Sequence, residues 1–200
     1  MTELVLLAKT LTTDYGPVYQ EIFEHFSTRV NLTTPNVDRS YDLFLTNVLY
    51  TDDAAMQNLL ATKIAAFPPA PRIFTSMHEL ARPILNASAS LMIVDCLNFY
   101  VSNIMLLYNS DPQSEKVMRE YIRRDILKII LALHDGTLDI AKLVVLTSDV
   151  DFDFYIHTEA GKMYRRLIHY ANGLFSQAAD RYGLITNGAV LWSQPYKHAL

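Results

Sequence analysis

A single cysteine in 200 residues, Cys96, excludes an internal disulfide framework and a cysteine-based zinc site. Positive charge is also scarce. Lys and Arg number 17 against 21 Asp and Glu, for a net charge of −4. Acids and bases are interspersed, and no basic stripe carries interleaved aromatics, so nucleic acid is not an expected partner. No apolar run approaches the ~20 residues of a membrane span. The stretch Leu91–Leu107 is interrupted by Asp95, Asn98, Ser102 and Asn103. Leu4–Ala8 is too short for the apolar core of a signal peptide. No membrane partner and a cytoplasmic location are therefore expected. No His-Glu-x-x-His spacing joins His25, His134, His157, His169 or His198, and no Gly-x-Ser-x-Gly elbow occurs. What is plentiful is apolar side chain. Half the residues are hydrophobic, enough for a sizeable core in one compact domain.

Periodicity divides the chain into alternating strands and helices. Leu4–Ala8 reads as a buried strand, Lys9–Gly16 as a polar turn, and Pro17 as the first position of a helix carrying Val18, Ile22, Phe23 and Phe26. Val30–Tyr41 is a connection and Leu43–Tyr50 a second strand. Asp52 or Asp53 caps a helix running to about Ala66, which Phe67–Pro71 stops as a rigid loop. Met77–Asn86 reads as a short helix, Leu91–Asp95 as a third strand, and Leu97–Tyr108 as the helix after it. Ser110–Gln113 is a turn. Ser114–Leu133 is an amphipathic helix, with Met118, Ile122, Ile126, Ile129, Ile130 and Leu133 on one face and His134-Asp-Gly136 closing it. Lys142–Thr147 is a further strand, Ser148–Thr158 a polar loop, and Glu159 to Asp180 a helix. Asn187-Gly188 between apolar runs marks a hairpin over Leu184–Trp192. The expected architecture is a mostly parallel sheet covered on both faces, with an antiparallel edge. It occupies one domain, residues 1–192, with a tail at 193–200.

The densest signal is Leu91-Met-Ile-Val-Asp95-Cys96-Leu97. A buried strand ends on an acid and enters a helix, the layout that sets a carboxylate near Mg²⁺ in nucleotide-binding α/β proteins. Ile93–Leu97, continuing to Ser102-Asn103, resembles the second nucleotide motif of the adenosylcobinamide kinase / adenosylcobinamide-phosphate guanylyltransferase family. Val144–Val150 stands where that family has a strand ending in Asn-Glu-Val-Gly. Tyr164-Arg165, Asn172, Ala179-Asp180 and Gly188 stand at its aromatic-Arg pair, Asn, Ala-Asp and Ser-Gly. The resemblance covers roughly residues 43–192. It implies a three-layer α/β fold of P-loop NTPase (RecA-like) type. It also implies Mg²⁺, GTP or ATP, and a corrinoid as ligands. The implied chemistry is phosphorylation of adenosylcobinamide, then guanylyl transfer through a covalent histidine. A homo-oligomer is the expected assembly.

Three departures qualify this. The family's phosphate loop is Gly-Gly-x-x-Ser-Gly-Lys-Ser in type, whereas here Lys9-Thr-Leu-Thr-Thr-Asp14-Tyr15-Gly16 keeps one glycine and sets an acid near the Gly-Lys positions. One misplaced charge at ~4 Å is worth on the order of 4 kcal/mol at an effective dielectric of about 20. The phosphate-binding candidates are Lys9, Thr10, Thr13 and Gly16. The alternative reading makes Lys9 a solvated loop lysine and Asp14 the helix cap. The nucleophilic histidine is also missing: Asp53-Ala-Ala-Met56 is followed by Ala61-Thr62-Lys63. Lys63 is a candidate substitute, and His78 reads as a surface residue or a displaced catalytic group. Lastly, Asp149 keeps an acid where Asp151 replaces glycine. Asp149, Asp151 and Asp153 read as an acidic surface loop or as hard-cation ligands. Asp95 is the candidate Mg²⁺ ligand, and Asp95, Asp149 and Lys63 are the catalytic candidates. A non-catalytic binding or regulatory protein, or a repurposed small-molecule binder, remains open beside the enzyme reading.

Overall fold

A computed structural model describes residues 2–9, 15–27, 41–46, 54–66, 71–148, 157–186 and 189–193. Among these residues seven strands form one sheet: β1 (Glu3–Lys9), β2 (Tyr41–Leu45), β3 (Arg72–Thr75), β4 (Ser88–Asp95), β5 (Asp139–Ser148), β6 (Arg181–Thr186) and β7 (Ala189–Trp192). Their order is β3-β2-β4-β5-β1-β6-β7, parallel throughout except for the antiparallel β6–β7 pair. Among the described residues six α-helices cover it: α1 (Tyr15–Ser27), α2 (Ala54–Ala66), α3 (Ala81–Leu85), α4 (Leu97–Leu107), α5 (Glu115–His134) and α6 (Glu159–Ala178).

The central strands read as near-continuous apolar runs because both faces are covered. Val5, Leu7, Leu43, Leu45, Leu91, Ile93, Val144 and Leu146 pack with Val18, Tyr19, Ile22 and Phe26 of α1. The alternate residues Leu4, Leu6, Phe44, Met92, Val94, Leu143 and Val145 pack with α3 to α6. This is the three-layer α/β arrangement, with the core on both faces of the sheet. Gly136, at φ +66°, follows the end of α5 as a C-terminal glycine.

Several elements differ from the sequence-based expectation. Lys9 is not a loop residue. It is the last residue of β1, because flanking β5 and β6 continue in register to Ser148 and Ile185 and give its backbone partners. Helix α1 starts at Tyr15, two residues before Pro17, so Gly16 lies inside a helix. Strand β2 is displaced, covering Tyr41–Leu45. Strand β3 was not expected. It is a four-residue edge held by the bidentate Arg72–Asp42 pair, at 2.8 and 3.0 Å. The short helix begins only at Ala81, where the buried Asp125 accepts the Leu80 and Ala81 N–H groups at 2.6 and 3.2 Å.

Asp125 also accepts from the buried Tyr100 hydroxyl at 3.0 Å. Burial first, and then the Asp125 charge, push that phenol far above its ordinary pKa, so it remains a donor. Asp125→Ala strips the acceptor from three donors, each costly to leave unpaired when buried. The expected loss is about 3 kcal/mol, read as a lower urea midpoint with an unchanged slope.

Candidate functional site

β1, β2, β4 and β5 all end on one edge of the sheet, the edge where open α/β sheets bind ligands. The two-residue period places Asp95 on the face of Leu91 and Ile93, and Lys9 on the face of Val5 and Leu7, so both point into the layer of α1 and α2. Asp95 is fully buried and Lys9 is 3% exposed. On α2, Lys63 shares the inward stripe of Leu60 and Ile64. It is also fully buried, with Nζ 2.8 Å from Asp95 Oδ2. The Tyr19 hydroxyl, from α1, donates to the same oxygen. The Lys63 ammonium also lies 5.3 Å from the Phe99 ring centroid.

Electrostatics follow from burial and this convergence. Desolvation raises the Asp95 carboxyl. The Lys63 and Lys9 charges and the contacts from Lys63 and Tyr19 outweigh it and hold the pKa below 3.8. Desolvation lowers the Lys9 pKa, opposed by Asp95 and Cys96 and reinforced by Lys63. Burial foremost, then Asp95, push the Cys96 thiol up to about 11, so it is an inert structural group at neutral pH.

Amide side chains on α4 brace the site. Asn103 donates to the Thr46 carbonyl at 2.6 Å and to the Met77 carbonyl at 3.0 Å. The Thr46 hydroxyl accepts from the Cys96 N–H at 3.0 Å and donates to the Cys96 carbonyl at 2.7 Å. Asn98 accepts the Ser148 N–H at 2.7 Å and donates to the Tyr164 hydroxyl at 3.0 Å. The Thr147 hydroxyl bonds Asn172 at 2.7 Å. Asn98, Asn103, Tyr164 and Asn172 therefore lock β2, β5, α4 and α6 around the carboxyl edge.

Of the candidates read from sequence, the structure brings Asp95, Lys63 and Lys9 together. Gly16 lies in the first turn of α1, while Thr10, Thr13 and Asp149 fall outside the described residues, as do Asp14, Asp151 and Asp153. His78 is neither distant nor fully exposed: it is half-buried beside the same edge. Tyr19 was missed, since an aromatic on an apolar helix face reads as packing. Lys63 carried a sharper signal, a lysine on the inward stripe of a helix.

Asp95 Oδ1 is buried and accepts no hydrogen bond from any described residue. Mg²⁺ commonly takes one or two carboxylates, completing its shell with water and substrate phosphates. Asp95 Oδ1 fits as the protein ligand, although no described group of three or more His, Cys, Asp or Glu could hold an ion unaided.

The chain matches the family model described as cobinamide kinase / cobinamide phosphate guanyltransferase over residues 42–192, well over half its length. No curated protein matches it. The parallel sheet with its closing antiparallel pair is consistent with the P-loop NTPase-like fold of that family.

Lys63→Met leaves the buried Asp95 without its closest counter-charge. Breaking such a pair from one side costs about 3–5 kcal/mol, and adding Asp95→Asn should recover part of it. Ionised Asp95 contributes stability that is complete above its unfolded pKa. That contribution is lost only as pH falls below 3.8 through the depressed folded value. Urea titrations of wild type and Asp95→Asn across pH 2–7 should converge at the acid end.

Proposed function

The chain belongs to the cobinamide kinase / cobinamide phosphate guanyltransferase family, and from that premise we propose that it keeps the family's nucleotide and cobinamide site with a weakened grip on phosphate. The observation that carries this reading is the buried convergence of Lys63, Lys9 and Tyr19 on Asp95 at the end of β4. Buried ion pairs are seldom more stabilising than apolar residues of the same volume. Holding a pair at the ligand-binding edge therefore favours a charge-handling role.

In this reading the buried Lys63 and Lys9 act on nucleotide phosphate through their charge from beneath the carboxyl edge, supplying the positive charge that the Lys9–Gly16 segment otherwise lacks. Asp95 orients Lys63 through Oδ2. Mg²⁺ bound with a nucleotide would use Asp95 Oδ1 and neutralise phosphate charge. Thr10, Thr13 and Asp149, which lie outside the described residues, are in this reading further phosphate and substrate contacts, and Gly16, in the first turn of α1, offers its backbone to phosphate. Lys63 acts as a charge rather than as the nucleophile, because an ammonium paired with a carboxylate offers no lone pair.

Two sequence features favour a second reading, a non-catalytic or repurposed binder using the same cleft. Asp14 stands where phosphate needs attraction, and Ala61-Thr62-Lys63 holds no histidine.

Calorimetric titration with GTP and Mg²⁺, with ATP as comparison, separates the two. Micromolar binding that prefers GTP supports the first, and turnover on cobinamide follows as the next assay. No heat and no thermal stabilisation at millimolar nucleotide overturns it. A gain-of-function variant sharpens the test. Asp14→Gly with Tyr15→Lys removes the repelling carboxylate and restores a Gly-Lys pair, and should tighten GTP binding at least tenfold.

A further inference from the structure

Helix α1 is tied to the closing β6–β7 hairpin through its last two turns. Glu21 Oε1 accepts the Val190 N–H at 3.0 Å. One turn further on, His25 Nε2 lies 3.1 Å from Arg181 Nη1. The His25 ring stacks on the Trp192 indole, with centroids 4.7 Å apart and planes at 27°. The Arg181 guanidinium lies 4.2 Å from the same indole, and Phe26 meets it edge-on at 5.9 Å. Gly183 pairs with Trp192 across the hairpin, and a Cβ there would stand 3.0 Å from the indole. Its absence lets the ring lie across β6 toward α1.

A guanidinium has no lone pair, so Arg181 can only donate and His25 Nε2 must accept. That contact requires a neutral imidazole with its proton on Nδ1. A second proton removes the acceptor and sets two cations side by side. The charges that face His25 from the neighbouring strands do not absorb the added one. Arg181 of β6 and Lys142 of β5 already share the Glu3 carboxylate of β1, at 3.8 and 3.1 Å. Trp192 of β7 is uncharged and already carries the Arg181 cation on its ring. On α1 itself, Glu21 stands four residues before His25, the spacing and order at which an acid and a cation on one helix attract. Protonated His25 is therefore repelled by Arg181 and drawn to Glu21, the group that holds the Val190 N–H.

We propose that His25 is a proton-operated latch: neutral, it fastens the β6–β7 hairpin to α1, and protonated, it exchanges Arg181 for Glu21 and releases β7. One proton weakens both polar tethers, because the new partner of His25 is the old partner of Val190. The hairpin borders the edge where the strands end. Ile185 is level with Lys9, and β6 and β7 meet one residue further on, at Thr186 and Ala189. The latch thus sets the freedom of this border by pH, in the range where an imidazole titrates, about pH 5–8. It stands on the α1–hairpin contacts alone and is independent of the family reading.

Trp192 is the one tryptophan of the chain, so intrinsic fluorescence reads the latch directly. Titrated from about pH 8 to pH 5, wild type should show a step in which emission moves to longer wavelength and acrylamide quenching at least doubles. His25→Gln keeps an acceptor for Arg181, takes no proton and retains the other histidines, so its emission should stay at the pH 8 value throughout. Hydrogen exchange, corrected for its intrinsic pH dependence, gives a second reading. The Val190 amide should lose about tenfold in protection across the step, while the Val94 amide in the central strand β4 keeps its own. Glu21→Gln still accepts from Val190 but removes the anion that draws His25, so the step should move to lower pH. That variant keeps the test open if His25→Gln folds poorly, which melting temperature checks. A flat wild-type titration, or the same step in His25→Gln, overturns the latch. A step that stays at the same pH in Glu21→Gln overturns the exchange of partners, and the latch with it.

Discussion

The Lys63–Asp95 pair is the constraint around which the rest of the carboxyl edge is arranged. Each partner loses several kcal/mol of hydration on burial, and only close geometry with further polar contacts offsets that loss. The pair therefore sets the position of α2 against β4. It also requires Tyr19 of α1 to bring its hydroxyl to the same oxygen. Lys9 adds a second cation from β1, across the intervening β5. Two helices and two strands that are distant in sequence are thus tied through one carboxylate.

A separate set of contacts keeps that carboxylate in place. Thr46 clasps the backbone of Cys96 in both directions, and Asn103 ties Thr46 to Met77. Asn98 performs the same task on the other side, joining Ser148 to Tyr164. Asn103 lies where the family resemblance locates a motif residue, and what the structure assigns to it is bracing. A motif position near a site can thus serve the backbone that carries the reactive groups and make no ligand contact itself.

How far the sequence disclosed this depends on what each residue contributes. β4 and α4 were legible because a strand buried on both faces must read as an apolar run, and Asp95 interrupts it at its end. β3 was not, because Arg72–Thr75 is a mostly exposed edge with no burial pattern to detect. Lys9 was misread as solvated because its neighbours in sequence are polar. Its neighbours in space, β5 and β6, are what extend the strand. Lys63 and Asp125 share a detectable signature, a charge on the inward stripe of a helix. Lys63 falls beside Leu60 and Ile64, and Asp125 between Ile122 and Ile126. Periodicity flags both positions, but only tertiary contacts reveal that one meets a carboxylate and the other a set of N–H and O–H donors.

The source of positive charge differs physically from a phosphate loop. A loop lysine reaches phosphate from a segment that can adjust around the ligand, and glycine amides share the load. Here the lysines come from the last residue of a strand and the middle of a helix, both anchored by packing. Charge held this way is preorganised, so little ordering entropy is lost on binding. It is also already engaged with Asp95, so on the proposed function a phosphate would compete with a carboxylate fixed in place. Affinity and preorganisation therefore pull in opposite directions at this site. The sequence also carries an acid at position 14, and the proposed function couples a retained site to a weakened grip on these two grounds.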